Sequence, residues 1–360
     1  MNILASIVKT LGMKNLLLSI VLVIILVSCG GDSDDINQIE NVISNETKFE
    51  WTIPESLING SNNPFPLAKD PNLLQVKDVD FLFDAALVAA VKIDDEIKIY
   101  PYPFLNTFES VNDKINDKTF ALTYCPLTQS ALLINRMHQN EEFVLRASGY
   151  LLHDNVILKD QNSDTYWSQM LGQCIKGSYA GDFNNTFNFV EMTWKTVREN
   201  FPDAEVFTMS SVESSITSVA QKQTDIKIGD LVYGIIGPSR NQQPFGSNDS
   251  KSTEVFIYHY DDFGSVTTLK SIVVDGSKTL VIGNKQDHYI TSYINNSNAE
   301  FEAVQNRFPI IMKDSDNNEW DVFGVALKGP RKGEQLESHT AFFALFWAWE
   351  NFYNNFSFDE

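Results

Sequence analysis

The sequence predicts an α+β protein, mostly antiparallel β, built as two tandem copies of one strand-rich unit related by a pseudo-twofold and each closed by a helix. Three observations predict it. Short apolar runs of strand length alternate with polar residues and are separated by turn residues. A pattern of Trp and Gly recurs in the same order in both halves. Each half ends in an apolar run at helical spacing. The copies are placed at 75–210 and 222–360.

The recurrence is specific. Ile157-Leu158-Lys159-Asp160 is echoed by Ile311-Met312-Lys313-Asp314, and a Trp follows each, Trp167 and Trp320. Gly172, Gly177 and Gly181 are matched at the same spacing by Gly324, Gly329 and Gly333. Glu199-Asn200-Phe201 then matches Glu350-Asn351-Phe352. Glycines at this spacing between strand runs supply positive-φ turns or close crossings, not a phosphate loop, which needs Lys-Ser/Thr after its last Gly.

Each copy opens on strands. Val91 and Ile93, then Ile97 and Ile99, alternate around Asp94-Asp95-Glu96, a hairpin pattern. Leu231 to Ile236 and Val255 to Tyr258 are its second-copy partner, with a polar loop from Ser239 to Thr253 between them. Further strands are expected at 119–125, 129–135, 143–148 and 156–159, and at 279–282, 289–294 and 308–312. Val190, Trp194, Val197 and Phe201 predict the first closing helix. Thr340 caps a second through about Tyr353, aromatic nearly all round and so expected to be buried between the copies, with Trp347 in the core.

The N-terminus reads as a targeting device. Lys14 precedes an apolar run from Leu16 to Val27, too short for a comfortable span, and Leu26-Val27-Ser28-Cys29 follows the pattern of a bacterial lipobox. Residues 1–29 are then signal peptide and lipobox, with Cys29 the lipidated residue; an uncleaved anchor helix is the alternative. Residues 30–48 are polar and acidic and form a disordered tether. Residues 49–74 lead into the first copy. The acidic cluster after Cys29 resembles surface-export signals. The expected localisation is therefore the cell envelope, lipid-anchored to the outer membrane, with the acidic cluster pointing to surface exposure.

Of 360 residues, 27 are Lys or Arg and 47 Asp or Glu, a net charge of −20. Such a surface repels phosphate backbones and excludes nucleic acid as the expected partner. A monomer is expected, with a small-molecule or protein partner of unknown identity. No HExxH, GxSxG or Walker pattern is present. Asp314 to Asp321 lacks the Gly and closing Glu of an EF-hand and reads as a solvated turn. The sequence names no cofactor and no metal.

Only three cysteines occur. Beyond Cys29 they are Cys125 and Cys174, which allow one disulfide without requiring it. Cys125 ends a strand-like run and is followed by Pro126. The matching stretch of the second copy carries Asn284 and Lys285 and no sulfur. A residue present in one copy only points to a site there, with Cys125 as nucleophile or ligand and His153 as its base. Tyr124, Thr128, Asp160, Trp167 and Gln169 are expected to line that site. Against this stands a Cys125 that is simply a small buried apolar side chain.

Thr123-Tyr124-Cys125-Pro126-Leu127 with Ser130-Ala131, Tyr100-Pro101 with Asn112-Asp113, Ser148-Gly149, Trp167-Ser168-Gln169, the glycine runs and Phe346-Trp347-Ala348-Trp349 resemble the domain of unknown function 3179 family over roughly residues 51–358. The resemblance implies a bacterial protein that often carries a secretion signal, and no defined activity. Members commonly read Cys-Pro-Leu-Cys where this chain has Cys125-Pro126-Leu127-Thr128, which removes the second sulfur of a dithiol or metal pair. Three functions follow: an envelope thiol protein of redox or metal type using Cys125, a non-catalytic surface lipoprotein that binds a glycan or protein through an inter-copy groove, or a hydrolase or transferase with an unrecognised site. Whether the protein is an enzyme stays open.

Overall fold

In the computed structural model the described residues are 49–208, 230–237 and 253–358. The expected signal segment with Cys29, the expected tether and residues 239–252 lie outside them.

Alternation and turn chemistry place the strands where the sequence puts them. The first half contains β1 (Leu87–Ile93), β2 (Glu96–Pro101), α1 (Tyr102–Phe108), β3 (Ser110–Ile115), β4 (Lys118–Cys125), β5 (Ser130–Asn135), β6 (Leu145–Leu152), β7 (Asn155–Asp160), β8 (Tyr166–Ser168), β9 (Gln173–Lys176), β10 (Val190–Thr193), α2 (Trp194–Asn200) and β11 (Glu205–Thr208). The second contains β12 (Leu231–Ile236), β13 (Glu254–His259), β14 (Thr268–Val274), β15 (Ser277–Asn284), β16 (Tyr289–Ile294), β17 (Phe301–Ala303), β18 (Ile310–Asp314), β19 (Glu319–Asp321), β20 (Ala326–Lys328), β21 (Thr340–Leu345), α3 (Phe346–Phe352) and β22 (Asn355–Phe358). The fold is α+β with mostly antiparallel sheets.

Strand order is the same in both halves. Sheet β10-β1-β2-β11 has its parallel pair at β2–β11, and β21-β12-β13-β22 has its own at β13–β22. The three-strand set β3-β4-β5 corresponds to β14-β15-β16, and the meander β6-β7-β8-β9 to β17-β18-β19-β20. The lead-in supplies an extra strand to each first-half sheet: 58–60 beside β6, 68–69 beside β3 and 72–75 beside β11. Added strands cover backbone edges that would otherwise stay unpaired.

The glycine recurrence is a recurring hydrogen-bonded loop. The Cys174 amide donates to the Asp182 carbonyl at 2.8 Å and Ala326 to Glu334 at 2.9 Å; Gly181 donates to Cys174 at 2.9 Å and Gly333 to Ala326 at 2.8 Å. All six glycines have positive φ. At Gly177 a side chain is further excluded by Thr165, whose Oγ1 would lie 2.7 Å from a Cβ. At Gly329 the Asn317 carbonyl oxygen would lie at 2.5 Å.

Two expectations are corrected. The closing helices begin later than their apolar runs. Val190–Thr193 and Thr340–Leu345 are strands paired with β1 and β12, and only Trp194–Asn200 and Phe346–Phe352 are helical. A continuous apolar run fits a doubly buried strand as well as a helix. Thr193, not Val190, marks the true start of α2, its hydroxyl accepting from the Thr196 amide at 3.3 Å. The buried tryptophan of α3 is Trp349, stacked on Phe342 at 4.4 Å, while Trp347 is 40% exposed.

Both hydrophobic cores draw on both halves. One joins β1, β2, β10 and α2 to residues of β15, β16 and β18; the other joins β6 to β9 to β12, β13, β21 and α3. Sheet β3-β4-β5 stands between them. Successive residues of a strand face opposite sides. Phe120, Leu122 and Tyr124 accordingly enter the first core, and Ala121 and Cys125 the second. The buried Lys92–Asp321 pair, at 2.7 Å, also joins the halves. No helix among the described residues is long and apolar enough to cross a membrane.

Candidate functional site

Cys125 is the last residue of β4, opposite Ser130. Its Sγ lies 3.5 Å from the Asp154 carbonyl oxygen, and the residue is 1% exposed. Burial pushes the thiol up from its ordinary value, and hydrogen bonding to Thr128 and the Val156 backbone only partly opposes this. The carboxyl of Glu109 adds to the rise. A thiol so held stays protonated and is a weak nucleophile. Cys174 is also buried and unbridged, and burial pushes its thiol up to about 12.

His153 and Asp154 form the two-residue turn between β6 and β7, both with positive φ, as a type I′ hairpin requires. The imidazole stands edge-on to Phe352 at 5.8 Å. The thiol meets the backbone of the neighbouring Asp154.

Beside the thiol is a buried polar network. Ser130 Oγ donates to Gln169 Oε1 at 2.7 Å, and the Asn155 amide donates to the same oxygen at 2.7 Å and to Thr128 Oγ1 at 3.0 Å. Gln169 Nε2 donates to Thr123 Oγ1 at 3.0 Å. The corresponding second-half positions on β15, β16 and after β19 hold Ile282, Tyr289 and Val322. The asymmetry that singled out Cys125 therefore belongs to a whole cluster, which is satisfied internally. Such a network rigidifies its surroundings.

The other expected site residues also serve the fold. Tyr124 stacks on Tyr102 at 4.6 Å and donates to Gln129 at 2.6 Å. Asp160 accepts the Val144 and Asn162 amides and the Ser163 hydroxyl, at 2.9, 3.1 and 2.8 Å. Asp314 plays the same part in the second half, accepting from the Asn318 amide at 3.0 Å and Trp320 Nε1 at 3.0 Å. Ser315, Asp316 and Asn317 form an exposed turn, as expected, but Asp314, Asn318 and Asp321 that flank it are buried. Trp167 is buried against Phe143 and His138. Among the described residues no cluster of His, Cys, Asp and Glu is placed to hold a metal ion.

A cleft of about 310 Å³ opens elsewhere, where the halves meet. Residues 183–189, leading into β10, form one wall; 338–341, leading into β21, form the other; Leu132 and Leu133 of β5 are its floor. Thr186 and Thr340 join the walls, hydroxyl to hydroxyl at 3.2 Å. The Asn184 backbone is fixed by donation to the Gly172 carbonyl at 2.9 Å, but both polar atoms of its buried side chain lack a partner. His339 is buried, its Nε2 3.0 Å from Thr279 Oγ1, and burial pushes its pKa down. None of the seven residues expected to form a site lines this cleft. The signal in the sequence was Phe183-Asn184-Asn185-Thr186-Phe187-Asn188-Phe189, a run of amides and aromatics without turn glycines.

A second unpartnered group lies deeper. Glu191 of β10 accepts from Tyr102 OH at 2.5 Å through one oxygen, while its other oxygen and the nearby Tyr260 OH are buried without partners. Burial pushes the Glu191 carboxyl up to about 7, the Tyr102 hydrogen bond pulling the other way.

No curated protein and no solved structure matches the chain. The family model described as a protein of unknown function (DUF3179) matches residues 62–356. That range takes in every described strand from 68 to 345 and the start of β22, with the thiol turn and the cleft, and the chain belongs to the DUF3179 family.

Proposed function

We propose that this protein is a lipid-anchored envelope protein that binds a small polar ligand non-covalently in the cleft between residues 183–189 and 338–341. The observation that carries the reading is the Asn184 side chain, a buried amide lining the cleft without a hydrogen-bond partner. Leaving such a group unsatisfied costs about 1–3 kcal/mol, and a ligand that supplies the missing partner recovers it. Concave sites with a few convergent polar groups on an apolar floor are the usual form of small-ligand sites, and a protein partner would need a broad surface instead. Cys125 is given a packing role, because its thiol is sealed and protonated. Anchoring rests on the lipobox pattern ending at Cys29.

The test is a small-molecule library screened by thermal shift against wild type and Ser338→Tyr, which fills the cleft from a half-buried position. Ligands should raise the Tm of wild type and not of the variant. Hits that stabilise both equally would place binding elsewhere.

A further inference from the structure

We infer that the cleft takes an uncharged polyhydroxyl ligand, a single sugar residue or the end of a short glycan; this rests on the proposed reading that the cleft binds a ligand at all. The first argument is charge. Charged residues make up 21% of the chain, yet no Asp, Glu, Lys or Arg is among the described residues that line the cleft. The one titratable side chain there is His339, and burial pushes its pKa down, so it is neutral at physiological pH. A carboxylate, phosphate or ammonium entering this space would lose its hydration without gaining a counter-ion.

The second argument is the type of hydrogen-bonding group. Asn184 offers an unpartnered carbonyl and an unpartnered amide NH2 side by side. A hydroxyl is both donor and acceptor, so adjacent ring hydroxyls can satisfy both ends of one amide. Both atoms are buried in this structure, and a ligand meets them by rotation about the terminal torsion, which is broad for Asn. Asn185, at the exposed rim, and Asn188 add further amides, and Ser338 a hydroxyl. The third argument is the apolar component. Phe183 and Phe187 line the same space half-buried, above Leu132 and Leu133. Apolar groups of this kind pack against the C–H face of a pyranose while amides take its hydroxyls. The volume of about 310 Å³ lies at the small end of ligand sites, about 300–1,000 Å³, which suits one sugar residue rather than a long chain.

The experiment is isothermal titration of the full-length protein in detergent with defined probes. They are glucose, galactose, N-acetylglucosamine and their β-linked dimers, the charged analogues glucuronate, glucosamine and glucose 6-phosphate, and uracil as a neutral non-sugar. At least one neutral sugar should bind, and its charged analogues should bind at least tenfold more weakly. Asn184→Leu should lower the affinity for that sugar about tenfold, and Asn185→Ala, a rim change with little effect on folding, should lower it by a smaller factor. Preferential binding of a charged probe or of uracil, abolished by Ser338→Tyr, would overturn the sugar assignment and leave the cleft as the site. Binding that Ser338→Tyr does not touch, or no binding by any probe, would overturn the cleft reading with it.

Discussion

At Cys125 two demands compete, and burial wins. The end of a strand followed by Pro is a place where a thiol can be activated, but the β4 register turns this one into the second core. Native-state labelling by a thiol reagent should therefore be slow at both Cys125 and Cys174, faster on unfolding by on the order of 10³ or more, as expected if reaction needs opening of the fold. Rapid native labelling of Cys125 alone would restore it as a reactive group. Glu191 gives a second prediction. Burial pushes its folded pKa up to about 7, above the ordinary carboxylate value of 4.5, so the native state holds a proton that the unfolded chain releases. Its contribution to stability is fully present below pH 4.5 and is lost as pH rises through 7. Between pH 5 and 8 the native state should lose roughly 2–3 kcal/mol on this account, and Glu191→Gln should flatten the slope. Urea unfolding at the two pH values checks this; an equal slope in both proteins contradicts it. The Glu109 carboxyl, pushed up to about 7 by burial, acts in the same direction and accounts for any residual slope.

At the scale of elements, the strand hairpins were legible because alternation and turn residues agree. Asp94-Asp95 and His153-Asp154 sit between strands whose registers close on two-residue turns. The closing segments were half legible. Phe342, Phe343 and Ala344 are all buried, so the run that pairs with β12 shows no alternation and looks continuous with the helix after it. That also hid which Trp is buried. Trp349→Ala should cost about 3–5 kcal/mol, since the ring fills the space left by Gly234 and stacks on Phe342. Trp347→Ala should cost under about 0.5 kcal/mol, as surface changes do. Denaturant midpoints of the two variants decide, and equal losses would contradict this burial. The glycine loops give a paired expectation. Gly177→Ala meets both a positive φ and the Thr165 side chain, whereas Gly181→Ala meets only the positive φ. The first should cost more than the second, which should itself cost about 1–3 kcal/mol.

For the whole molecule, the matched strand orders and loops make a second half that can be read from the first, and what differs between halves then stands out. Cys125 stood out in the sequence, and the polar residues beside it, Ser130 and Asn155 among them, form a sealed network. The cleft did not, because its two walls lie far apart in the chain and meet only when the halves pack. The proposed anchoring is tested separately. Cys29→Ser should lose the lipid mass and release the protein from the membrane fraction, and retention of the variant would refute the lipobox. The most direct test of the binding account is a ¹⁵N–¹H spectrum that follows the Asn184 side-chain amide of the full-length protein during titration with the best sugar probe. The Asn184 NH2 pair should shift with a saturating dose dependence, together with backbone amides of 183–189 and 338–341. A saturating response confined to other parts of the molecule, with the Asn184 amide unmoved, would contradict the account.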